Sequence, residues 1–342
     1  MNMNAMQIFE TFFIAVVVAY TLTPFMRKIA GALGYLDHPK DNKVHAHPIP
    51  LLGGVAIFFA FLIAMLTKID LISLGHVRAI LCGTLILLVI GLIDDRMGMM
   101  PNIKLLGQFL AAMVVIKAGL RVEFVGNYYL SVAFTYLWII GITNSFNLLD
   151  NMNGLSAGIA VIAAAFFGII SYQSGQYAVS ALSWAVAGGC LGFLRYNFPK
   201  ASIFMGDNGS LIVGYVLSTI GILGSWKTTA WSNSLLIPLL ILGYPIFDTA
   251  LVSVMRVLEG RSIFEGGKDH SSHRLALLGL RRYRTVLIIY AISIGLGLAA
   301  FALTQVSLPA GMAVAACAFI AMLVLGVRLA LVDTKQYGHR KR

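Results

Sequence analysis

The chain has 342 residues, 59% of them hydrophobic and only 11% charged, with a mean hydropathy of +0.85. That composition marks a polytopic membrane protein, and continuous apolar runs of about 20 residues, enough to cross a bilayer core at 1.5 Å per residue, exclude an outer-membrane barrel. The net charge of +11 reports orientation and contact with anionic lipid or substrate, so no nucleic-acid partner is expected.

In chain order, the first apolar span runs from Met6 to Phe25. Arg27 and Lys28 follow it, so it lacks the basic leader of a signal peptide and is expected to stay attached with its N-terminus outside. A polar loop from Tyr35 to Pro50 leads to spans over Leu51 to Leu66, Val77 to Ile93, Ile103 to Lys117, Leu130 to Ser145, Leu155 to Tyr172, Tyr177 to Leu194, Ser210 to Gly224, Leu235 to Val257, Val286 to Leu303 and Pro309 to Leu331. The expected fold is all-α, a polytopic integral membrane protein of about 10–11 transmembrane helices. It forms one domain over 1–342, with loops near 35–50, 94–104, 144–155, 195–210 and 258–285. Cys82, Cys190 and Cys317 each lie in an apolar run and read as packing residues, not as a disulfide or a metal set.

Eleven spans put the termini on opposite sides. With the N-terminus outside, 20 of the 25 Lys and Arg residues fall on the inner side and 5 on the outer, as the positive-inside rule demands. Most of the acids share the inner side, so the chemistry is expected on the cytoplasmic face.

Four stretches on that face carry residues that lipid contact does not explain. Asn144 to Gly158 places four Asn and one Asp at the junction of two spans. If the helix runs on, Asn144, Asn147 and Asp150 fall at i, i+3 and i+6 and face a shared centre able to hold a hard cation. The structural alternative is a helix-ending cluster, and for Asn153-Gly154 alone a simple turn is the better reading. Asp94 and Asp95 are adjacent carboxylates at the end of the third span; they require a cation or a basic partner, and Lys104 is placed to return over them. A solvated helix end with Arg96 as partner is the alternative. Gly206-Asp207-Asn208-Gly209-Ser210 sets a lone acid between glycines before an apolar helix, either as an N-cap or as a place where backbone approaches phosphate or metal.

The late loop gathers Lys268, His270, His273 and Arg274 within seven residues. Further ligands of zinc spacing are missing, so polyanion recognition is the better reading, while Arg281, Arg282 and Arg284 read as a lipid-surface cluster. The early loop, with Lys43 and His45 ahead of Gly53-Gly54, repeats the basic theme.

Together these stretches, from Asp37 to Arg274, resemble the polyprenyl-phosphate N-acetylhexosamine-1-phosphate transferases, the integral-membrane glycosyltransferase family 4 that starts bacterial cell-envelope polymers such as lipopolysaccharide and teichoic acid. The resemblance implies Asp94, Asp95, Lys104 and Asp150 as catalytic residues and Asn147 and Asp207 as ligands of Mg²⁺, with Mn²⁺ as a substitute. It implies Asn153 beside the uridine, His270, His273 and Arg274 at the diphosphate and sugar, and Lys43, His45, Asn144 and Lys268 as further substrate contacts. It also implies a UDP-sugar and polyprenyl phosphate as substrates and the bacterial cytoplasmic membrane as location, and it leaves monomer and homodimer open. The muramyl-pentapeptide branch typically has consecutive histidines in the late loop. Asp269-His270-Ser271-Ser272-His273-Arg274 instead looks like the branch that transfers simple N-acetylhexosamine phosphates, most simply GlcNAc-1-phosphate.

Phosphoryl transfer between a lipid phosphate and a soluble nucleotide belongs at the cytoplasmic ends of helices and asks mainly for positioning and charge stabilisation. Asp94 and Asp95 are expected on the lipid-phosphate side and Asn147 and Asp207 on the nucleotide side. The rival class is an ion-coupled transporter, which predicts acids near the midplane, broken helices and related halves. The acids here cluster at one face and no repeat is apparent; a purely structural scaffold would not require so many desolvated carboxylates.

Overall fold

The computed structural model describes residues 3–39, 47–122, 126–226, 235–263 and 265–334. Lys43 and His45 lie outside the described residues. Contacts gather the chain into two compact units, Met1–Ser225 and Trp226–Arg342, where the sequence reading has one domain.

The first unit begins with α1 (Ala5–Leu33), started by a capping box in which Asn4 Oδ1 accepts the Gln7 N–H at 2.9 Å and Gln7 Oε1 accepts the Asn4 N–H at 3.0 Å. The helix carries past Pro24 and is longer than the expected Met6 to Phe25. A two-residue antiparallel pair follows, β1 (Leu36–Asp37) with β2 (Ile49–Pro50). Then come α2 (Gly53–Leu66), the short α3 (Ile69–Ile72), α4 (Gly75–Met97), α5 (Pro101–Lys117), α6 (Tyr128–Leu149), α7 (Leu155–Gln173), α8 (Tyr177–Asn197) and α9 (Asp207–Leu223).

Small residues let these helices approach closely, as membrane helix packing without a strong hydrophobic drive requires. A Cβ on Gly188 or Gly192 of α8 would meet α1 backbone oxygens at 2.4 Å, opposite the fully buried Ala15 and Ala19.

The second unit holds α10 (Leu236–Ile241), α11 (Gly243–Leu258), α12 (Ser271–Leu277), α13 (Arg282–Leu303) and α14 (Leu308–Ala330). The expected ninth span, Leu235 to Val257, is two helices here, interrupted at Leu242. Pro245 supplies the reason: it has no N–H to donate and its ring displaces the carbonyl four residues back.

Seven of the described helices, α1, α4, α6, α7, α8, α13 and α14, are long and apolar enough to cross a membrane, and α2 and α9 are shorter apolar helices. The protein is an all-α, multi-pass membrane protein. Cys82, Cys190 and Cys317 are free thiols.

Candidate active site

In the first unit the polar ends of four helices meet. α4 contributes Asp94 and Asp95, α5 Lys104, α6 Asn144 and Asn147 with Asp150 just past its last turn, and α9 opens on Asp207. Alternating spans require this, since the end of one helix and the start of the next share a membrane side. Lys104 Nζ forms ion pairs with both Asp94 and Asp207. The lysine therefore returns over the aspartate pair, while Arg96 lies over the Tyr35 ring, 5.3 Å from its centroid. The second Asp94 oxygen accepts the Met99 N–H at 2.6 Å, closing the turn after α4. Asn147 Nδ2 donates to Asp207 Oδ1 at 2.7 Å and to Ser210 Oγ at 3.0 Å.

Asp95 has a different task. Its Oδ1 accepts the Asp207 N–H at 2.9 Å and its Oδ2 the Asn208 N–H at 3.1 Å. A helix start exposes unsatisfied N–H groups at the positive end of its dipole. The residue before α9, Gly206, has no side chain to cap them, so the acid on α4 does it from outside. This corrects the N-cap reading of Asp207, which is the first helical residue and directs its carboxylate at Lys104 and Asn147. Gly206 is required here because its φ is 72° and a Cβ would lie 2.6 Å from Asp95 Oδ2. Asp94, Asp95, Asn147 and Asp207 form one bonded cluster.

The early loop joins this cluster through its backbone. Phe204 N–H donates to Pro50 O at 2.8 Å, Gly53 N–H to Phe204 O at 3.0 Å and Gly54 N–H to Met205 O at 2.8 Å, and Asn208 Nδ2 reaches Leu51 O at 2.7 Å. The pair Gly53-Gly54 thus serves close packing: a Cβ on Gly54 would lie 2.2 Å from Gly209 Cα.

Two expected contacts are engaged elsewhere. Asn144 exchanges two amide hydrogen bonds with Gln108, at 3.1 and 2.6 Å. Asn153 Nδ2 donates to Pro199 O at 3.3 Å, and Gly154, with φ 78°, makes the turn that the dipeptide suggests, its N–H held by Asn197 Oδ1 at 2.7 Å. Asp150 stands past the end of α6; burial, then the charges of Asp207 and Asp95, push its carboxyl up to about 7.

The donor set suits a hard divalent cation. Lys104 is shared by Asp94 and Asp207, and Asp95 and Asp150 add further carboxyl groups, so the cluster holds more acid than base, with the amide of Asn147 beside Asp207. Among the described residues no three His, Cys, Asp or Glu side chains converge into a cage. Mg²⁺ characteristically takes one or two carboxylates and leaves the remaining positions to water and substrate phosphates.

The second unit holds its own polar cluster. Along α11, Tyr244, Asp248, Val252 and Arg256 recur every four residues and are all buried. Arg256 forms a fork on Asp269, with Nε to Oδ2 and Nη2 to Oδ1 both at 2.8 Å, and donates Nη1 to Ile263 O at 2.8 Å. Burial acts to raise the Asp269 carboxyl, but the Arg256 hydrogen bonds and charge outweigh it and hold it at about 2.

Asp248 accepts from Ser271 N–H at 2.7 Å and pairs with His270 Nδ1 at 2.8 Å. His273 lies one turn along α12, and burial, then the charge of His270, push its ring down to about 4. Arg274 Nε donates to Asp269 O at 2.8 Å, and Nη1 donates to Leu329 O at 3.1 Å and Val332 O at 3.0 Å at the C-terminal end of α14. These bonds engage Arg274 with backbone inside the unit. Lys268 lines a cleft of about 450 Å³ together with Glu259, Arg261 and Arg274. Arg281, Arg282 and Arg284 are exposed, in keeping with a lipid-surface cluster.

Residues 77–225 match the glycosyl transferase family 4 domain, the stretch that contains the cluster of the first unit. The chain is 33% identical to a probable undecaprenyl-phosphate N-acetylglucosaminyl 1-phosphate transferase of Bacillus subtilis (strain 168), over 96% of this chain and 94% of that protein. It is 31% identical to the decaprenyl-phosphate N-acetylglucosaminephosphotransferase of Mycobacterium tuberculosis (strain ATCC 25618 / H37Rv), over 81% of this chain and 77% of that one. A phospho-N-acetylmuramoyl-pentapeptide-transferase of Moorella thermoacetica is 33% identical over 84% of this chain and 95% of its own. With the likeness covering nearly all of both chains in the first of these, this chain belongs to glycosyl transferase family 4.

Proposed function

We propose that this protein transfers N-acetylglucosamine 1-phosphate from UDP-GlcNAc to undecaprenyl phosphate, releasing UMP, at the cytoplasmic face of a bacterial cytoplasmic membrane. The observation that carries this reading is the single cluster of Asp94, Lys104, Asn147 and Asp207 at helix ends, inside the stretch that matches the family. The relatives named for N-acetylglucosaminyl phosphate transfer support the sugar, and so does the late loop, in which two serines separate His270 from His273.

In this reading an oxygen of the lipid phosphate attacks the β-phosphorus in line, and the bond from that phosphorus to the oxygen bridging the α- and β-phosphates breaks. UMP leaves with the bridging oxygen. Phosphoryl transfer of this kind calls for little covalent help and much alignment and charge balance. Lys104 holds phosphate oxygens. Asn147 and Asp207 would hold Mg²⁺, which when bound supplies positive charge to the diphosphate. Asp95 keeps Asp207 in place by fixing the first turn of α9. A dedicated base is unnecessary, because a phosphate monoester has a second pKa of about 6 and is largely dianionic at neutral pH. Asp150 and Asp94 remain to orient the acceptor. The resemblance of the late loop supports diphosphate and sugar recognition by His270 and His273.

Purified protein with Mg²⁺, undecaprenyl phosphate and a panel of UDP-GlcNAc, UDP-GalNAc and UDP-MurNAc-pentapeptide tests the assignment. UMP release with UDP-GlcNAc is expected. Preference for the pentapeptide nucleotide would overturn it.

A further inference from the structure

Asp248 lies on α11, only 1% exposed, and has no place in the chemistry above. A buried carboxylate is tolerated only when paired and hydrogen-bonded, and its two oxygens are divided between two partners. Oδ1 accepts from Ser271, through the N–H at 2.7 Å and through Oγ at 2.5 Å, and Tyr244 OH shares that hydroxyl at 2.7 Å. Oδ2 faces His270 Nδ1 at 2.8 Å. The Ser271 bonds fix the start of α12, a structural task that Oδ1 completes alone. Oδ2 does something else: a carboxylate on Nδ1 makes that nitrogen the proton carrier and fixes the plane of the ring, leaving Nε2 as the edge that meets a ligand.

We propose that Asp248 is a positioning residue that sets the tautomer and ring orientation of His270 for recognition of a phosphate-bearing substrate. The inference rests on the proposed transferase reading for the identity of that substrate, but not for the pairing itself. Asp248, Ser271 and Tyr244 form a buried mount, and His270 is the part of it that serves the reaction. The carboxylate also supports the positive charge of the ring when both nitrogens carry protons, the form in which Nε2–H donates a hydrogen bond to a phosphate oxygen while Nδ1–H stays on Asp248.

Asp248→Asn is a selective probe. With its oxygen toward Ser271 the amide keeps both bonds to α12, while its NH₂ faces Nδ1 and forces that nitrogen to accept. The ring then carries its proton on Nε2. Two readouts test this in full-length protein. In ¹⁵N-histidine-labelled protein, with His270 assigned by difference from His270→Gln, the wild type is expected to show a protonated Nδ1 and Asp248→Asn an unprotonated one. In UMP release, Asp248→Asn and His270→Gln are each expected to lower kcat on the order of 10- to 100-fold, the usual effect of losing a partner that orients a functional histidine. The double variant should be no slower than His270→Gln alone.

An unchanged His270 spectrum in Asp248→Asn would overturn the proposal. So would a further loss when Asp248→Asn is added to His270→Gln, because that pattern means Asp248 acts through the fold and not through the ring. Wild-type protein that shows the Nδ1 signature but releases no UMP would refute the transferase reading and leave the pairing standing.

Discussion

Asp95 Oδ1 accepts the backbone N–H of Asp207 at 2.9 Å, so an acid at the end of α4 sets the first turn of α9. Its neighbour Asp94 instead pairs with Lys104. Adjacent carboxylates therefore carry separable roles. Asp95→Ala is expected to lower thermal stability and turnover together, with a stability cost of about 1–2 kcal/mol, typical of a lost cap. Asp94→Asn keeps the acceptor for Met99 and should lower turnover alone. Thermal unfolding measured beside UMP release checks the split; equal stability in Asp95→Ala and wild type would contradict the capping role.

Lys104 is the cation that balances Asp94 and Asp207. Lys104→Met removes it and leaves like charges facing one another, so a divalent cation has more repulsion to relieve. Added Mg²⁺ is expected to raise the melting temperature of Lys104→Met by more than it raises that of the wild type, because a ligand that binds only the folded state stabilises it more the tighter it binds. UMP release should fall by about 10²-fold or more, the scale of losing an electrostatic contact to a reacting phosphoryl group. An identical Mg²⁺ response in the two proteins would show that the ion binds elsewhere.

Much of this architecture is legible in sequence because apolar length and charge asymmetry act locally. The long apolar helices, Lys104 over Asp94 and the turn at Asn153-Gly154 all follow from spacing along the chain. The remainder depends on what arrives from elsewhere. Nothing near Asp207 says that its helix is capped by Asp95, more than a hundred residues away, because Gly206 only signals that a side chain does not fit. Nothing beside Asn144 says that Gln108, on the preceding helix, pairs with its amide. The scaffold of the second unit did leave a signal: Tyr244, Asp248, Val252 and Arg256 recur at four-residue intervals in an apolar helix, and the three polar members of that buried stripe needed partners buried with them. The break at Leu242 escapes a hydropathy reading because the apolar run is continuous, although Gly243 and Pro245 mark it.

Arg274 holds three residues at the end of α14 by their carbonyls, counting a longer contact to Ala330 at 3.4 Å. Arg274→Ala leaves buried acceptors unmatched and is expected to cost about 2–4 kcal/mol, each orphaned group contributing about 1–3 kcal/mol. Arg274→Lys should recover little of it, since a single ammonium cannot reproduce the planar fork. Thermal unfolding of the three proteins tests this. A melting temperature unchanged in Arg274→Ala would contradict this structural role.

Two groups of the second unit bear on acid stability, and both have folded pKa values below their unfolded ones. His273 goes from 6.5 to about 4 and Asp269 from 3.8 to about 2. In each case the unfolded chain takes up the proton first, so stability present at neutral pH is lost on acidification, first from about pH 6.5 to 4 through His273 and then from about 3.8 to 2 through Asp269. Between pH 7.5 and 5 the His273 contribution is about 2 kcal/mol. His273→Gln should flatten that limb of the melting temperature against pH. A wild-type profile with no fall over this range would refute it.

The central claim is that phosphate travels with the sugar, and position-specific label tests it most directly. UDP-GlcNAc carrying ³²P only in its β-phosphate is incubated with the purified protein, Mg²⁺ and undecaprenyl phosphate, and the lipid and nucleotide products are separated. All transferred label is expected in a lipid-linked diphosphate sugar, with unlabelled UMP released in equal amount and none of this formed by Asp207→Asn. Label leaving in UDP, with sugar alone on the lipid, would contradict the account.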